Sequence, residues 1–159
     1  GGVGKTTIAS TIYKKAETKR MFICRAWISV SQSYRIKDLL RKIVLQLMVK
    51  NKNIPDGIDT MDCVNLVELQ RYLHGRRYLI VLDDVWSRDS WPLLDNAFVK
   101  NNNGSRIIIT TRIQAVASLA DPNHEMKLSL LPKEEAWTLF SLKAFSRLED
   151  KSCPLNLKT

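Results

Sequence analysis

The first seven residues have the composition of a phosphate-binding loop. They read G-G-V-G-K-T-T and carry the last six positions of the pattern G-x-x-x-x-G-K-[ST]. Glycines let backbone N–H groups converge on phosphate oxygens, and a helix that follows adds its positive end. Lys5 can reach the β and γ phosphates of a nucleotide, and the Thr6 hydroxyl can ligate Mg²⁺. A glycine-rich turn that only begins a helix is the alternative. The residues predicted to bind nucleotide here are Gly1, Gly2, Val3, Gly4, Lys5, Thr6 and Thr7.

Two carboxylates follow an apolar run at residues 78–82. Parallel α/β sheets bind ligands beyond the carboxyl ends of their strands, which is where Asp83 and Asp84 would lie. Asp83 is predicted to hold Mg²⁺ through water, with Thr6 as the other metal ligand. Asp84 is predicted to act as a catalytic group that orients or deprotonates an attacking water. Adjacent acids also often cap a following helix, so a structural role for Asp84 stays open.

A third polar strand end lies at Arg112. Residues 104–112 read G-S-R-I-I-I-T-T-R, a buried strand pattern that ends in two threonines and an arginine. A guanidinium there can bind a terminal phosphate through two hydrogen bonds, so Arg112 would distinguish ATP from ADP. A surface salt bridge is the alternative for this residue.

Hydrophobic patterning predicts strands at 22–30, 78–82 and 106–110, and weakly at 125–130. Helical patterns lie between them, and Pro132 with two acids after it marks the start of a helix at 132–145. The alternation of strand and helix predicts a three-layer α/β fold with a parallel sheet. Loops are predicted at 51–60 and 101–105. The predicted helix faces comprise Leu40, Ile43, Val44 and Leu47; Leu66, Leu69, Tyr72 and Leu73; and Ala136, Leu139, Phe140 and Phe145.

Composition is that of an ordinary globular domain of 159 residues, 45% hydrophobic and 26% charged. No apolar run approaches the roughly 20 residues that span a bilayer, and no signal peptide opens the chain, so we expect a cytoplasmic protein. Three cysteines without C-x-x-C spacing indicate neither a disulfide framework nor a zinc site. The net charge of +9 could mark a nucleic-acid surface, but the basic residues are scattered, which favours a solvated surface without direct nucleic-acid contact.

Five motifs in order, spread over nearly the whole chain, carry a family resemblance. They are G-G-V-G-K-T-T, R-A-W-I-S-V-S-Q, L-I-V-L-D-D-V-W, G-S-R-I-I-I-T-T-R and L-x-x-E-E-A-W-x-L-F. Together they resemble the nucleotide-binding (NB-ARC) domain of plant resistance proteins, which belongs to the signal-transduction P-loop ATPases. Trp86, which closes the third motif, resembles the coiled-coil rather than the Toll-type branch.

The resemblance implies a five-stranded parallel sheet in which the strand leading to residues 110–112 lies between the phosphate-loop strand and the strand that precedes Asp83. Residues 1–147 would be the nucleotide-binding domain without its first strand, and 148–159 a linker and the start of a helical ARC subdomain. The cofactors would be ATP or ADP with Mg²⁺. In the family ADP holds the resting state and ATP the active one, with slow hydrolysis that makes the domain a weak ATPase at most.

The partners implied are the protein's own coiled-coil and leucine-rich-repeat domains and a homo-oligomer in the active state. A P-loop ATPase enzyme or motor that acts on nucleic acid is the main alternative function. A small-molecule kinase ranks last, because neither an arginine-rich lid nor an acceptor pocket is evident.

A sheet without its phosphate-loop strand leaves backbone groups of neighbouring apolar strands unpaired. Each such group costs on the order of 1–3 kcal/mol if it is buried. We therefore expect these 159 residues alone to be poorly stable and to melt without a sharp transition. A cooperative thermal unfolding transition, followed by circular dichroism, would contradict this expectation.

Overall fold

The computed structural model describes residues 2–49, 66–89, 91–98 and 102–146. The chain divides into two compact units, Gly4–Met126 and a second made of Gly1–Val3 with Lys127–Thr159. The predicted domain boundary at 147 and 148 and the predicted loop at 51–60 lie outside the described residues. The elements are α1 (Lys5–Thr18), β1 (Cys24–Ser29), α2 (Ile36–Val49), α3 (Leu66–Leu73), β2 (Tyr78–Val85), α4 (Trp91–Ala97), β3 (Arg106–Thr111), α5 (Gln114–Ala117), a 3₁₀ turn (Pro122–His124) and α6 (Lys133–Ala144).

The sheet of the larger unit has the order β1-β2-β3, with both neighbouring pairs parallel. Trp27 is paired with Val81 across the first pair, and Ile80 with Ile107 across the second. Three predicted strands are thereby confirmed. β2 continues to Val85 and so includes both carboxylates, beyond the predicted end at residue 82.

The central strand β2 is covered on both faces. Leu79 and Val81 pack in one cluster, whose other members come mostly from α1, while Ile80 and Leu82 pack in a second cluster with α2 and α3. Because successive side chains of a strand point to opposite faces, this division places helices on both sides of the sheet. The three-layer α/β prediction is confirmed. So are the first two predicted apolar helix faces, whose buried members are Leu40, Ile43, Val44, Leu47, Leu69 and Leu73.

β3 is less buried than its apolar sequence predicts. Its three isoleucines at 107–109 are half-buried, whereas the apolar residues of β2 are almost fully enclosed. Within the described ranges β3 pairs with β2 on one edge and with no strand on the other. That open edge is compatible with the expected neighbouring strand.

The weakly predicted strand at 125–130 is wrong, because these residues have no regular secondary structure and a 3₁₀ turn precedes them. A strand forms only with a partner, and none of the three described strands pairs with this segment. The helix predicted at 132–145 is confirmed as α6. Within the smaller unit, Trp137 stacks on Phe140 with ring centroids 5.5 Å apart.

Cys24 lies at the start of β1 and is fully buried and free. Burial raises the pKa of its thiol, and interactions with Arg76 and Tyr72 offset only part of that rise. The thiol is therefore poorly reactive, in line with a structural role. Cys63 and Cys153 lie outside the described residues. Within the described residues, no helix combines the length and the apolar composition needed to cross a membrane.

Gln46 of α2 covers the outer edge of β1. Its side-chain Oε1 accepts a hydrogen bond from the Trp27 backbone N–H at 2.7 Å, and its Nε2 donates to the Trp27 carbonyl at 2.8 Å. The amide thus satisfies one donor and one acceptor on the side of β1 where none of the described strands pairs, as a neighbouring strand would.

Removal of this amide is expected to destabilise the larger unit. Gln46→Ala leaves two half-buried backbone groups of Trp27 unpaired, so we expect it to lower the free energy of unfolding by about 1–3 kcal/mol. The measurement is a urea titration of the protein with all of its natural sequence, in a stabilising osmolyte that raises its stability. Lys42→Ala, an exposed change on the same helix, is the control and should shift stability by less than about 0.5 kcal/mol. Equal effects of the two changes would contradict the role of Gln46.

Candidate functional site

Helix α1 begins directly after Gly4, whose φ of 88° is left-handed. A Cβ at this position would meet nothing within 4 Å, so glycine suits the position through its backbone conformation and not through lack of space. The Gly4 carbonyl accepts from the Ile8 N–H at 2.9 Å, but no side chain caps the helix and its first turn has no acidic residue. The positive end of α1 is therefore open to an anion.

The rest of the predicted phosphate loop divides between the two compact units. Gly1 lies outside the described residues, and Gly2 and Val3 belong to the smaller unit, where Gly2 has a left-handed φ of 82°. Lys5 is half-buried, and its ammonium forms no ion pair with any described residue. Thr7 is exposed and its carbonyl accepts from Thr11.

One carboxylate oxygen of Asp83 accepts hydrogen bonds from two threonine hydroxyls. Thr6 Oγ1 donates to Asp83 Oδ1 at 2.8 Å, and Thr110 Oγ1 donates to the same atom at 2.6 Å. Thr6 lies at the start of α1 and Thr110 near the end of β3, so this oxygen joins three elements. The Asp83 residue itself is only 7% exposed. The carboxylate is therefore held in a fixed orientation at the end of β2.

A bulge in β2 separates the roles of the two adjacent acids. Leu82 pairs with Ile109, yet Val85 pairs with Thr111, so β2 holds one more residue than β3 between these pairs. Asp84 occupies this bulge with φ at 60°, a left-handed conformation in which Asp is tolerated better than most residues. Its N–H donates to Thr110 Oγ1 at 2.9 Å, which stabilises the bulge.

The side chain of Asp84 faces Arg112. Arg112 Nε lies 3.5 Å from Asp84 Oδ1, and the guanidinium carbon lies 5.4 Å from the centroid of the Trp86 ring. The Arg112 and Asp84 side chains are 51% and 38% exposed. The salt-bridge alternative for Arg112 is thus present in the structure, whereas Asp84 does not cap a helix, since α4 begins only at Trp91.

The donor set around Asp83 fits a magnesium ion. Both threonines occupy Oδ1, and Oδ2 accepts no hydrogen bond from the described part of the chain. A buried carboxylate with one free oxygen needs a cation or another donor. Mg²⁺ is usually held by one or two carboxylates together with waters and substrate phosphates. The described residues contain no group of three or more His, Cys, Asp or Glu side chains able to hold a metal. Thr6 and Asp83 are the residues that would hold the ion.

Four of the predicted site residues are brought together by the structure: Thr6, Asp83, Asp84 and Arg112. Sequence reasoning assigned no role to Thr110, which bridges both acids. A hydroxyl at the end of a predicted buried strand was the available signal, but its use required knowledge of which strands are neighbours. Trp86, which is not among the predicted site residues, is half-buried beneath Arg112.

Comparisons with known proteins identify the family of this chain. Residues 1–150 match the family model described as the NB-ARC domain. The chain is 40% identical over 161 residues to disease resistance protein RPP13 of Arabidopsis thaliana, with all of the chain aligned. It is 38% identical over 151 residues, or 91% of the chain, to disease resistance protein RPM1 of the same plant. It is 33% identical over 153 residues, or 94% of the chain, to disease resistance protein RGA2 of Solanum bulbocastanum.

These relatives are much longer proteins, because the matched regions cover only 19%, 16% and 15% of their respective lengths. The family match nevertheless includes the phosphate loop, both carboxylates and Arg112. With the glycine-led start of α1, Asp83 at the end of β2 and Arg112 after β3, the chain belongs to the NB-ARC domain family.

Proposed function

We propose that this domain binds ADP or ATP with Mg²⁺ and acts as the nucleotide-dependent switch of a plant immune receptor. The observation that best supports the proposal is the convergence of Thr6 and Thr110 on Asp83. This contact joins the helix after the phosphate loop to the ends of two strands. These ends lie at the carboxyl edge of the sheet, where α/β proteins bind ligands. Bound Mg²⁺ would neutralise phosphate charge at this edge.

Different residues around Asp83 would bind different parts of the nucleotide. The uncapped N-terminus of α1 offers backbone N–H groups to phosphate oxygens, and Lys5 adds a positive charge that no described residue neutralises. Thr6 and Asp83 would hold the metal ion. Arg112 would bind the γ-phosphate of ATP, which ADP lacks. Together with Lys5 and Mg²⁺, which would also reach the γ-phosphate, Arg112 would supply the difference between states that a switch requires.

Asp84 is the candidate for orienting or deprotonating an attacking water. In this structure its carboxylate is already paired with Arg112. A water molecule and a guanidinium would thus compete for the same carboxylate, and such competition suits slow hydrolysis. We therefore propose a weak Mg²⁺-dependent ATPase whose turnover resets the switch, with regulation as the main role.

The receptor assignment rests on the relatives, whose names describe disease resistance proteins of two plants. In the family, coiled-coil and leucine-rich-repeat domains flank the NB-ARC domain and active receptors form oligomers. We extend that architecture, with the cytoplasmic location expected from the sequence, to this protein. A nucleic-acid-dependent ATPase is the second candidate, favoured only by the net charge of +9.

The retained nucleotide distinguishes these two functions. We expect the protein, purified with all of its natural sequence, to retain close to one ADP per chain, identified by chromatography after denaturation. Lys5→Ala should lose most of it, because the ammonium that would bind the phosphates is gone. Lys14→Ala removes the same charge from an exposed position of α1 and should retain the nucleotide. An empty site that turns ATP over rapidly would instead identify an enzyme.

Removal of the metal tests the role of Asp83. Asn in its place can still accept both threonine hydroxyls on its carbonyl oxygen, but it presents an amide NH₂ where the free carboxylate oxygen was. We expect EDTA to weaken nucleotide binding to the natural protein by about 10-fold or more, a typical cost of disturbing a metal site. Asp83→Asn should bind weakly with or without Mg²⁺.

Calorimetric titration with nucleotide in Mg²⁺ and in EDTA measures both effects. Asp89→Asn changes an exposed acid of the loop after β2 and should keep the full dependence on Mg²⁺. An Asp83→Asn variant that still responds to Mg²⁺ as strongly as the natural protein would exclude Asp83 as the metal ligand.

A further inference from the structure

Arg112 is held from two directions by residues of β2 and the segment that follows it. Asp84 contacts its Nε at 3.5 Å, and the Trp86 ring lies beneath the guanidinium at 5.4 Å. The two terminal nitrogens of Arg112, which form the fork that binds phosphate, make no hydrogen bond or ion pair with any described residue. The side chain is thus oriented while its recognition atoms stay available.

The backbone fixes Trp86 and Arg112 beside each other. Val85 and Thr111, the residues that immediately precede them, are partners in the β2–β3 register. Thr111 Oγ1 also donates to the Val85 carbonyl at 2.7 Å and accepts from the Ile113 N–H at 3.0 Å. These bonds tie the turn that carries Arg112 to the end of β2. The strand ends therefore place Trp86 and Arg112 side by side, where their side chains can stack.

The Trp86 ring and the Asp84 carboxylate both orient Arg112, but they differ in their electrostatic effect on a bound phosphate. Asp84 carries a negative charge that also repels a phosphate bound by Arg112. The Trp86 face attracts the guanidinium through its quadrupole and brings no net charge to the site. Because Arg112 is half exposed, it would otherwise sample many conformations, and ordering it would weaken phosphate binding.

We propose that Trp86 is a positioning residue that gives the site its preference for a triphosphate over a diphosphate by orienting Arg112. The proposal rests on the proposed function, because it requires a nucleotide site in which Arg112 contacts the γ-phosphate of ATP. ADP lacks that phosphate, so its binding does not depend on Trp86. A ring that instead held Arg112 away from the phosphate would have the opposite effect on ATP.

The test is calorimetric titration, on the protein with all of its natural sequence, of ADP and of a non-hydrolysable ATP analogue in the presence of Mg²⁺. Loss of an exposed cation–π contact corresponds to about a twofold to fivefold change in affinity. We expect Trp86→Leu to weaken binding of the ATP analogue by this factor and to change ADP binding by less. Trp86→Phe keeps an aromatic face and should recover part of the loss.

A double-mutant cycle shows whether Trp86 acts through Arg112. In an Arg112→Ala background, Trp86→Leu should leave the ratio of the two affinities unchanged, because the residue that it orients is absent. Trp91→Leu, a change to a half-buried ring of α4 in the core, is the packing control and should not alter that ratio.

The outcomes separate the two proposals. If the natural protein binds neither nucleotide, the proposed function fails and this inference falls with it. If it binds both, an unchanged ratio in Trp86→Leu, or tighter binding of the ATP analogue, overturns the inference alone. An effect of Trp86→Leu that persists in the Arg112→Ala background would show that Trp86 acts by another route and would also overturn it.

Discussion

The site depends on one oxygen atom, Oδ1 of Asp83. Two hydroxyls from different elements donate to it, one from the first turn of α1 and one from the end of β3. The carboxylate is almost fully buried, so its orientation is not averaged by water. This shared acceptor aligns the start of the phosphate-loop helix with two parallel strand ends. Without it, the start of α1, with Lys5, would lose its hydrogen-bonded link to the strand ends that carry Asp84 and Arg112.

The bulge after Leu82 changes the direction in which the side chains at the end of β2 point. Successive residues of a regular strand point to opposite faces, so the side chains of two adjacent acids would point away from each other. The extra residue and the left-handed Asp84 backbone break that alternation. A residue in such a conformation costs on the order of 1–3 kcal/mol, and the hydrogen bond from its N–H to Thr110 offsets part of this. Thr110 therefore connects two acids that have different roles.

Sequence patterns correctly predicted the features that depend only on residues close together in the chain. The glycine-led start of α1, the buried faces of α2 and α3 and the strand before Asp83 all follow from spacing that one element carries by itself. The sequence could not place Thr110 or Trp86, because their partners lie on adjacent strands and only the register brings them together. The same reason explains the wrong strand at 125–130, because none of the described strands pairs with this segment.

The geometry also limits how much of the proposed switch this site can supply. A shift from 1:99 to 99:1 between two states needs about a 10⁴-fold difference in affinity, or roughly 5.5 kcal/mol. A hydrogen bond to a charged group contributes roughly 1.5–3 kcal/mol, and Arg112 is half exposed, which favours the lower end. Asp83 would hold Mg²⁺ with either nucleotide, so it distinguishes them less directly than Arg112 does. A complete switch would therefore need contacts beyond Arg112, in parts of the protein whose position changes with the nucleotide. The site described here would then bias an equilibrium that those contacts amplify.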